Sequence, residues 1–170
     1  MKKAWTLVID TREKVPLHFP AHLVVLDDKT PPLQKKAVTV KLSTVKERLK
    51  TGDYLLQGHR DQVLVERKGS LREVAQNCLS GDRDRFLKSL ERMRDECRVP
   101  ILFLEGSITK FLGMPSKELG DIQPELCLDA LIRLTLRFGI HLFIQPTATL
   151  SQRRRAGEMV ARFLLAGAVE

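Results

Sequence analysis

The chain has 170 residues, enough for one domain with a genuine core, and its 43% apolar content is ordinary for a soluble globular protein. With 29 basic against 21 acidic residues it carries a net charge of +8, which favours an anionic partner, nucleic acid foremost. No apolar run approaches the roughly 18 residues of a membrane span, and Asp10 interrupts the first apolar stretch too early for a signal peptide. Cys78, Cys97 and Cys127 lack C-x-x-C spacing and read as reduced core thiols of a cytoplasmic, nucleoid- or DNA-associated protein. His18, His22, His59 and His141 form no ligand pattern, which argues against a zinc site.

In chain order, residues 5–10 and Leu23 to Leu26 read as strands, followed by a loop from Asp27 to Lys36 around Pro31-Pro32. Val38 to Leu42 alternates and reads as a strand, Thr44 to Lys50 as a short charged segment, and further strands fall at about 53–57 and 62–68. The period then changes. Leu71, Val74, Ala75, Cys78 and Leu79 lie on one face of a helix that ends or bends at Gly81. Phe86, Leu87, Leu90 and Met93 continue helical spacing to about Glu96. Val99 to Glu105 is a buried strand, and Gly106 to Gln123 is loop-rich. A helix opens at Pro124 and stops at Gly139, Ile140 to Gln145 is a strand, and Ser151 to Leu165 is a final helix. Strands first, then alternating helices and strands, give an α/β protein with a mixed sheet covered by helices.

The chemistry gathers at three places. Glu66-Arg67-Lys68 ends the apolar run Val63-Leu64-Val65. On a strand, Glu66 and Lys68 project to one side and Arg67 to the other. A carboxylate can hold a hard cation, and an ammonium beside it can orient a nucleophile or offset charge on a phosphate. Asp10 closes the strand Leu7-Val8-Ile9, with Arg12 and Glu13 just after it. Gly52-Asp53-Tyr54 opens another strand, and the polar segment Gln57 to Gln62 makes a hairpin that would bring Asp53 beside Glu66.

In this order, I-D-T-R-E, G-D-Y and V-E-R-K resemble the nuclease domain of the XPF-type structure-specific endonucleases, of the restriction-endonuclease-like PD-(D/E)xK superfamily. Their signature is D-x-R-E, then G-D, then E-R-K-x-x-x-D, and the likeness continues through Arg85-Phe86 and the strands Pro100 to Glu105 and Gly139 to Gln145. The resemblance implies a restriction-endonuclease-like fold, a mixed central β-sheet flanked by α-helices. It also implies a Mg²⁺- or Mn²⁺-dependent endonuclease that hydrolyses DNA phosphodiesters, at branched or structured sites in repair or recombination. Asp53 and Glu66 would hold the metal with Asp10 close by, as ligand or supporting group, and Lys68 would position or activate water. Arg12 and Arg67 would steady the site or the phosphate, and Arg85 would contact DNA, duplex or branched. Residues 1–170 would form a single nuclease domain without the C-terminal helix-hairpin-helix domain of most relatives. Pairing would be with a second copy through this domain, or with a separate partner protein.

One position departs from the pattern. Where the signature has its last Asp the chain has Arg72, with Glu73 adjacent. Ser70 and Glu73 form S-x-x-E ahead of a helix, a capping box, so Glu73 reads first as a cap and second as a displaced ligand. Arg72 opposes the helix dipole and reads as a phosphate contact. The departure keeps an alternative open: a catalytically inactive DNA-binding or scaffold protein of the same fold. The other cations of Arg83 to Arg94, and Arg153-Arg154-Arg155, read by default as solvated surface. With one Trp and one Tyr, no stacking platform for single strands is indicated.

Overall fold

The computed structural model describes residues 4–26, 37–79 and 81–168. The expected Pro31-Pro32 loop lies outside them. Seven strands form one mixed sheet: β1 (Ala4–Asp10), β2 (His22–Leu26), β3 (Ala37–Glu47), β4 (Tyr54–Leu56), β5 (Val63–Lys68), β6 (Val99–Glu105) and β7 (His141–Gln145). Their order across the sheet is β2-β3-β1-β4-β5-β6-β7. β1 runs parallel to β3 and antiparallel to β4, β4 is antiparallel to β5, and β5, β6 and β7 are parallel.

Strand alternation divides the core in two. Val8, Leu55, Leu64, Leu102 and Leu104 face a cluster built with helices α1 (Leu71–Leu79), α2 (Arg83–Glu96), α3 (Ile108–Leu112) and α4 (Pro124–Phe138). Leu7, Tyr54, Leu56, Val63, Val65, Ile101 and Phe103 face the opposite cluster, covered by α5 (Leu150–Gly167) through Ala156, Val160, Ala161 and Leu164. Strands buried on both faces read as continuous apolar runs, as Val63-Leu64-Val65 and Ile101 to Leu104 do.

Two segments differ from the sequence reading. β3 continues past Leu42 to Glu47, because its second half pairs in parallel with all of β1, from Ala4↔Lys41 to Asp10↔Glu47. Backbone pairing overrides the charged composition of Thr44 to Glu47. The loop-rich stretch after β6 contains α3 and a 3₁₀ turn (Ser116–Leu119), which bury Phe111 and Leu119. α5 is seated by a close approach. A Cβ added to Gly157 would lie 2.1 Å from the carbonyl oxygen of His18. Backbone cannot yield as a side-chain tip does, so Gly157→Ala is expected to destabilise the protein by about 1–3 kcal/mol. Urea denaturation should show a lower midpoint with an unchanged slope.

Candidate active site

β1, β4 and β5 end at one edge, and the same alternation that builds the core sends their terminal polar residues to the α1/α2 side. Val8 and Leu55 point that way, so Asp10 and Asp53 do too, and Leu64 carries Glu66 and Lys68 with it. Gly52 initiates this arrangement with φ of 76°, and a Cβ there would sit 3.4 Å from the Val65 carbonyl oxygen. Asp53 then docks on β5: its N–H donates to Val65 O at 2.8 Å, and its carboxylate accepts the Arg67 backbone N–H at 2.7 Å. β4 pairs with β5 through Tyr54↔Val65, and Glu66 is the next residue of β5. The hairpin expectation therefore holds, and Asp53 and Glu66 lie side by side.

Lys68 Nζ is 3.0 Å from Glu66 Oε1 and 3.4 Å from Glu73 Oε1. Glu73 also caps α1, though not as a standard box. Its N–H donates to the Ser70 hydroxyl oxygen at 3.1 Å, while its other carboxylate oxygen accepts the N–H of Gly69, one residue before the cap. Glu73 is thus a helix cap and a partner of the site lysine at once. Burial and the neighbouring Glu66 push the Asp53 carboxyl up to about 7. For Lys68, burial works against its charge, but Glu66 and Glu73 outweigh it and raise the ammonium above its ordinary range. Lys68 is protonated at neutral pH.

Asp10 is fully buried and saturated. One oxygen accepts Arg12 N–H and Nε at 2.6 and 2.8 Å; the other accepts Arg12 NH2 and Leu49 N–H at 2.9 and 2.8 Å. Burial would raise its carboxyl, but these hydrogen bonds hold it below the usual range. Its N–H also donates to Asp53 O at 2.9 Å, tying β1 to the site. Among the described residues, no three His, Cys, Asp or Glu side chains converge as a metal cluster.

Arg67 points to the opposite face of the sheet. Its guanidinium bridges Glu13, at 2.5 Å, and Glu105. Glu13 also accepts the Tyr54 hydroxyl at 2.9 Å, and Glu105 accepts the Thr147 hydroxyl. Burial lifts the Tyr54 phenol far above its normal range, so it is a permanent donor here.

Above the carboxylates lies a cleft of about 360 Å³, lined on the strand side by Arg12, Lys50 and Thr51 and on the helix side by Asn77, Arg85, Phe86, Ser89 and Arg92. Arg12, Asp53, Glu66, Lys68 and Arg85, all singled out in the sequence, meet here; Arg72 is exposed and does not line the cleft. Lys50, Thr51, Asn77, Ser89 and Arg92 were missed. Arg85, Ser89 and Arg92 fall at i, i+4 and i+7 of α2, a stripe legible in the sequence but hidden among the other basic residues of that helix.

A family model for the ERCC4 domain matches residues 9–153 of the chain. The chain belongs to the ERCC4-domain family. The ERCC4 domain is the XPF-type nuclease domain that the three motifs resemble. Among solved structures, XPF from Aeropyrum pernix is similar with a TM-score of 0.55 and 16% identity over 96% of this chain and 60% of that one. XPF from Aeropyrum pernix in complex with DNA gives 0.57 and 17% over 97% of this chain and 64% of that one. The ERCC4-domain chain therefore spans less than two thirds of the length of either structure, and at these identities the likeness bears on the fold, which is restriction-endonuclease-like α/β. No curated protein matches the chain. Among the described residues, no helix is long and apolar enough to cross a membrane.

The raised Asp53 carboxyl has a pH signature. A folded value of about 7 against an ordinary 3.8 contributes stability that is complete below pH 3.8 and lost as pH rises through 7. Asp53→Asn removes that loss, so in EDTA the variant's stability advantage over the parent should grow from pH 5 to pH 8. Urea melts of both proteins across this range test it; a difference that does not change with pH counts against the burial-and-repulsion account.

Proposed function

We propose that the protein is a Mg²⁺- or Mn²⁺-dependent endonuclease that hydrolyses DNA phosphodiester bonds, at branched or structured sites in repair or recombination. One observation carries the reading: Asp53 and Glu66 are adjacent in a cleft with Lys68, and that cleft is walled by arginines. Two oxygen donors side by side fit a hard divalent cation, which takes one or two carboxylates and completes its shell with water and phosphate oxygens. The donor set also calls for one, since Asp53 is held near pKa 7 by burial and by Glu66, a conflict that a cation relieves.

When bound, the metal supplies Lewis acidity, lowering the pKa of water and offsetting charge on the phosphate. Asp53 and Glu66 hold it. Lys68, kept charged by Glu66 and Glu73, donates hydrogen bonds to orient the attacking water or a phosphate oxygen; it is not a proton acceptor at neutral pH. We assign Asp10 to holding Arg12 and the Leu49 backbone rather than to direct ligation, because four hydrogen bonds already occupy its oxygens. Arg12 then faces the cleft as a fixed cation. Arg67 steadies the end of β5 from the other face. Arg85 and Arg92 have no carboxylate partner among the described residues, unlike Arg94, which pairs with Glu91 and Asp95. Both line the cleft, which suits them to neutralise phosphates.

Arg72, in place of the family's Asp, favours a second reading, a DNA-binding protein of the same fold without turnover. Cleavage assays separate the two. Labelled duplex, flap and four-way-junction DNA should be cut with Mg²⁺ or Mn²⁺ and remain intact in EDTA. Glu66→Gln and Asp53→Asn should each abolish cutting while the proteins stay folded; activity surviving in both variants defeats the assignment.

Binding is a separate test. Fluorescence anisotropy with duplex DNA in EDTA, between roughly 50 and 200 mM salt, should give a steep log–log dependence, with Arg85→Ala and Arg92→Ala each flattening the slope by about 0.9. Arg72→Ala should leave the slope unchanged. A salt-independent affinity would assign the basic charge another purpose.

A further inference from the structure

The loop that delivers Asp53 is held by a residue outside the cleft. Thr51, two positions earlier, is buried, and its hydroxyl donates to Glu96 Oε1 at 3.1 Å. Lys50 Nζ lies 3.4 Å from the same oxygen. Arg60, in the turn between β4 and β5, donates to the other oxygen at 3.2 Å. A single carboxylate thus gathers the loop before Asp53, the turn beyond β4 and the end of α2.

Its location is unfavourable for the helix. Glu96 is the last residue of α2, where the macrodipole prefers a cation. Burial also opposes its charge, yet its donors, Thr51 first, keep the carboxyl below the ordinary range. Helix stability therefore does not account for a carboxylate there; its three donors do. Thr51 is followed by Gly52, whose positive φ of 76° is a conformation glycine adopts without a Cβ penalty. Asp53 itself is docked on β5 through Val65 O and the Arg67 N–H, and Thr51 fixes the chain on the other side of that glycine. The other wall of the cleft, with Arg85 and Arg92, is on α2 itself. Glu96 links the two walls directly.

We propose that Glu96 is a positioning residue: by holding Thr51 it sets the Asp53 carboxylate beside Glu66 for a divalent cation, at a fixed distance from the arginines of α2. The role rests on the metal-dependent reading above. Groups that orient metal ligands change affinity by about 10–100-fold when removed. A residue that only staples the fold changes stability and leaves metal affinity alone.

Calorimetric titration of the full chain with Mn²⁺ in the absence of DNA, beside urea denaturation of each variant, tests this. Thr51→Val and Glu96→Ala should each weaken Mn²⁺ binding about 10-fold. The double variant should be no weaker than the poorer single one, because both changes break the same contact. Glu96→Gln keeps an oxygen for the Thr51 hydroxyl and should keep Mn²⁺ affinity close to the parent's. Unchanged affinity in Thr51→Val and Glu96→Ala overturns the proposal in favour of a structural staple. A Glu96→Gln protein as weak as Glu96→Ala overturns it in favour of a general charge effect. If Glu96→Ala does not fold, Thr51→Val decides alone, since it exchanges a hydroxyl for a methyl of similar size. A parent that binds no Mn²⁺ defeats the metal-dependent reading, and this role with it; a parent that binds Mn²⁺ while the variants match it defeats this role alone.

Discussion

The pairing of β4 with β5 is the constraint on which the site depends. Asp53 enters β4 through a left-handed turn at Gly52, donates to Val65 O and accepts the Arg67 N–H on its own carboxylate. These contacts fix register, and register decides the face. A slip of one residue would send Glu66 and Lys68 into the α5 core and turn Arg67 toward the cleft. The side-by-side carboxylates, the elevated Asp53 pKa and the charged Lys68 all follow from that alignment.

The E-R-K triplet accordingly serves two faces of one strand. Glu66 and Lys68 belong to the cleft, while Arg67 joins Glu13 and Glu105 beneath it. Burying an arginine is costly unless its donors are met. Here two carboxylates meet them, and these are in turn supported by the Tyr54 and Thr147 hydroxyls. The network spans the segment after β1, the ends of β5 and β6, and the segment after β7. It ties the strand ends beneath the candidate site together from the side away from the cleft.

The excess positive charge is distributed in a comparable way. Arg133 with Asp129 and Arg162 with Glu158 are exposed helical pairs one turn apart, screened by solvent and of little weight for stability. Arg12 is consumed by Asp10 but presents its charge to the cleft. Arg85 and Arg92 stand over the carboxylates without carboxylate partners among the described residues. A net charge of +8 favours an anionic partner, and the cleft gathers Arg12, Arg85 and Arg92 at one place.

Local rules made much of this legible in advance. Period-2 and period-3.6 patterns located the strands and the long helices, because burial on one face or both writes itself into residue order. Asp10, Asp53, Glu66 and Lys68 could be named because I-D-T-R-E, G-D-Y and V-E-R-K stand in the order of a known nuclease domain's motifs. Other features depended on contacts between distant segments. The extension of β3 came from pairing with β1, against its charged composition. Arg67, which the resemblance gave to the site or the phosphate, meets Glu13 and Glu105 on the other face of the sheet. Arg92 looked like surface until α2 was seen to wall the cleft, and Glu96, in the sequence only the end of a helical pattern, is where Thr51, Lys50 and Arg60 converge. Spacing along the chain determines which side a residue takes on its own element; only the packing of elements decides what it meets there, because partners such as Thr51 and Glu96 lie far apart in sequence and become neighbours through the sheet and helix that carry them.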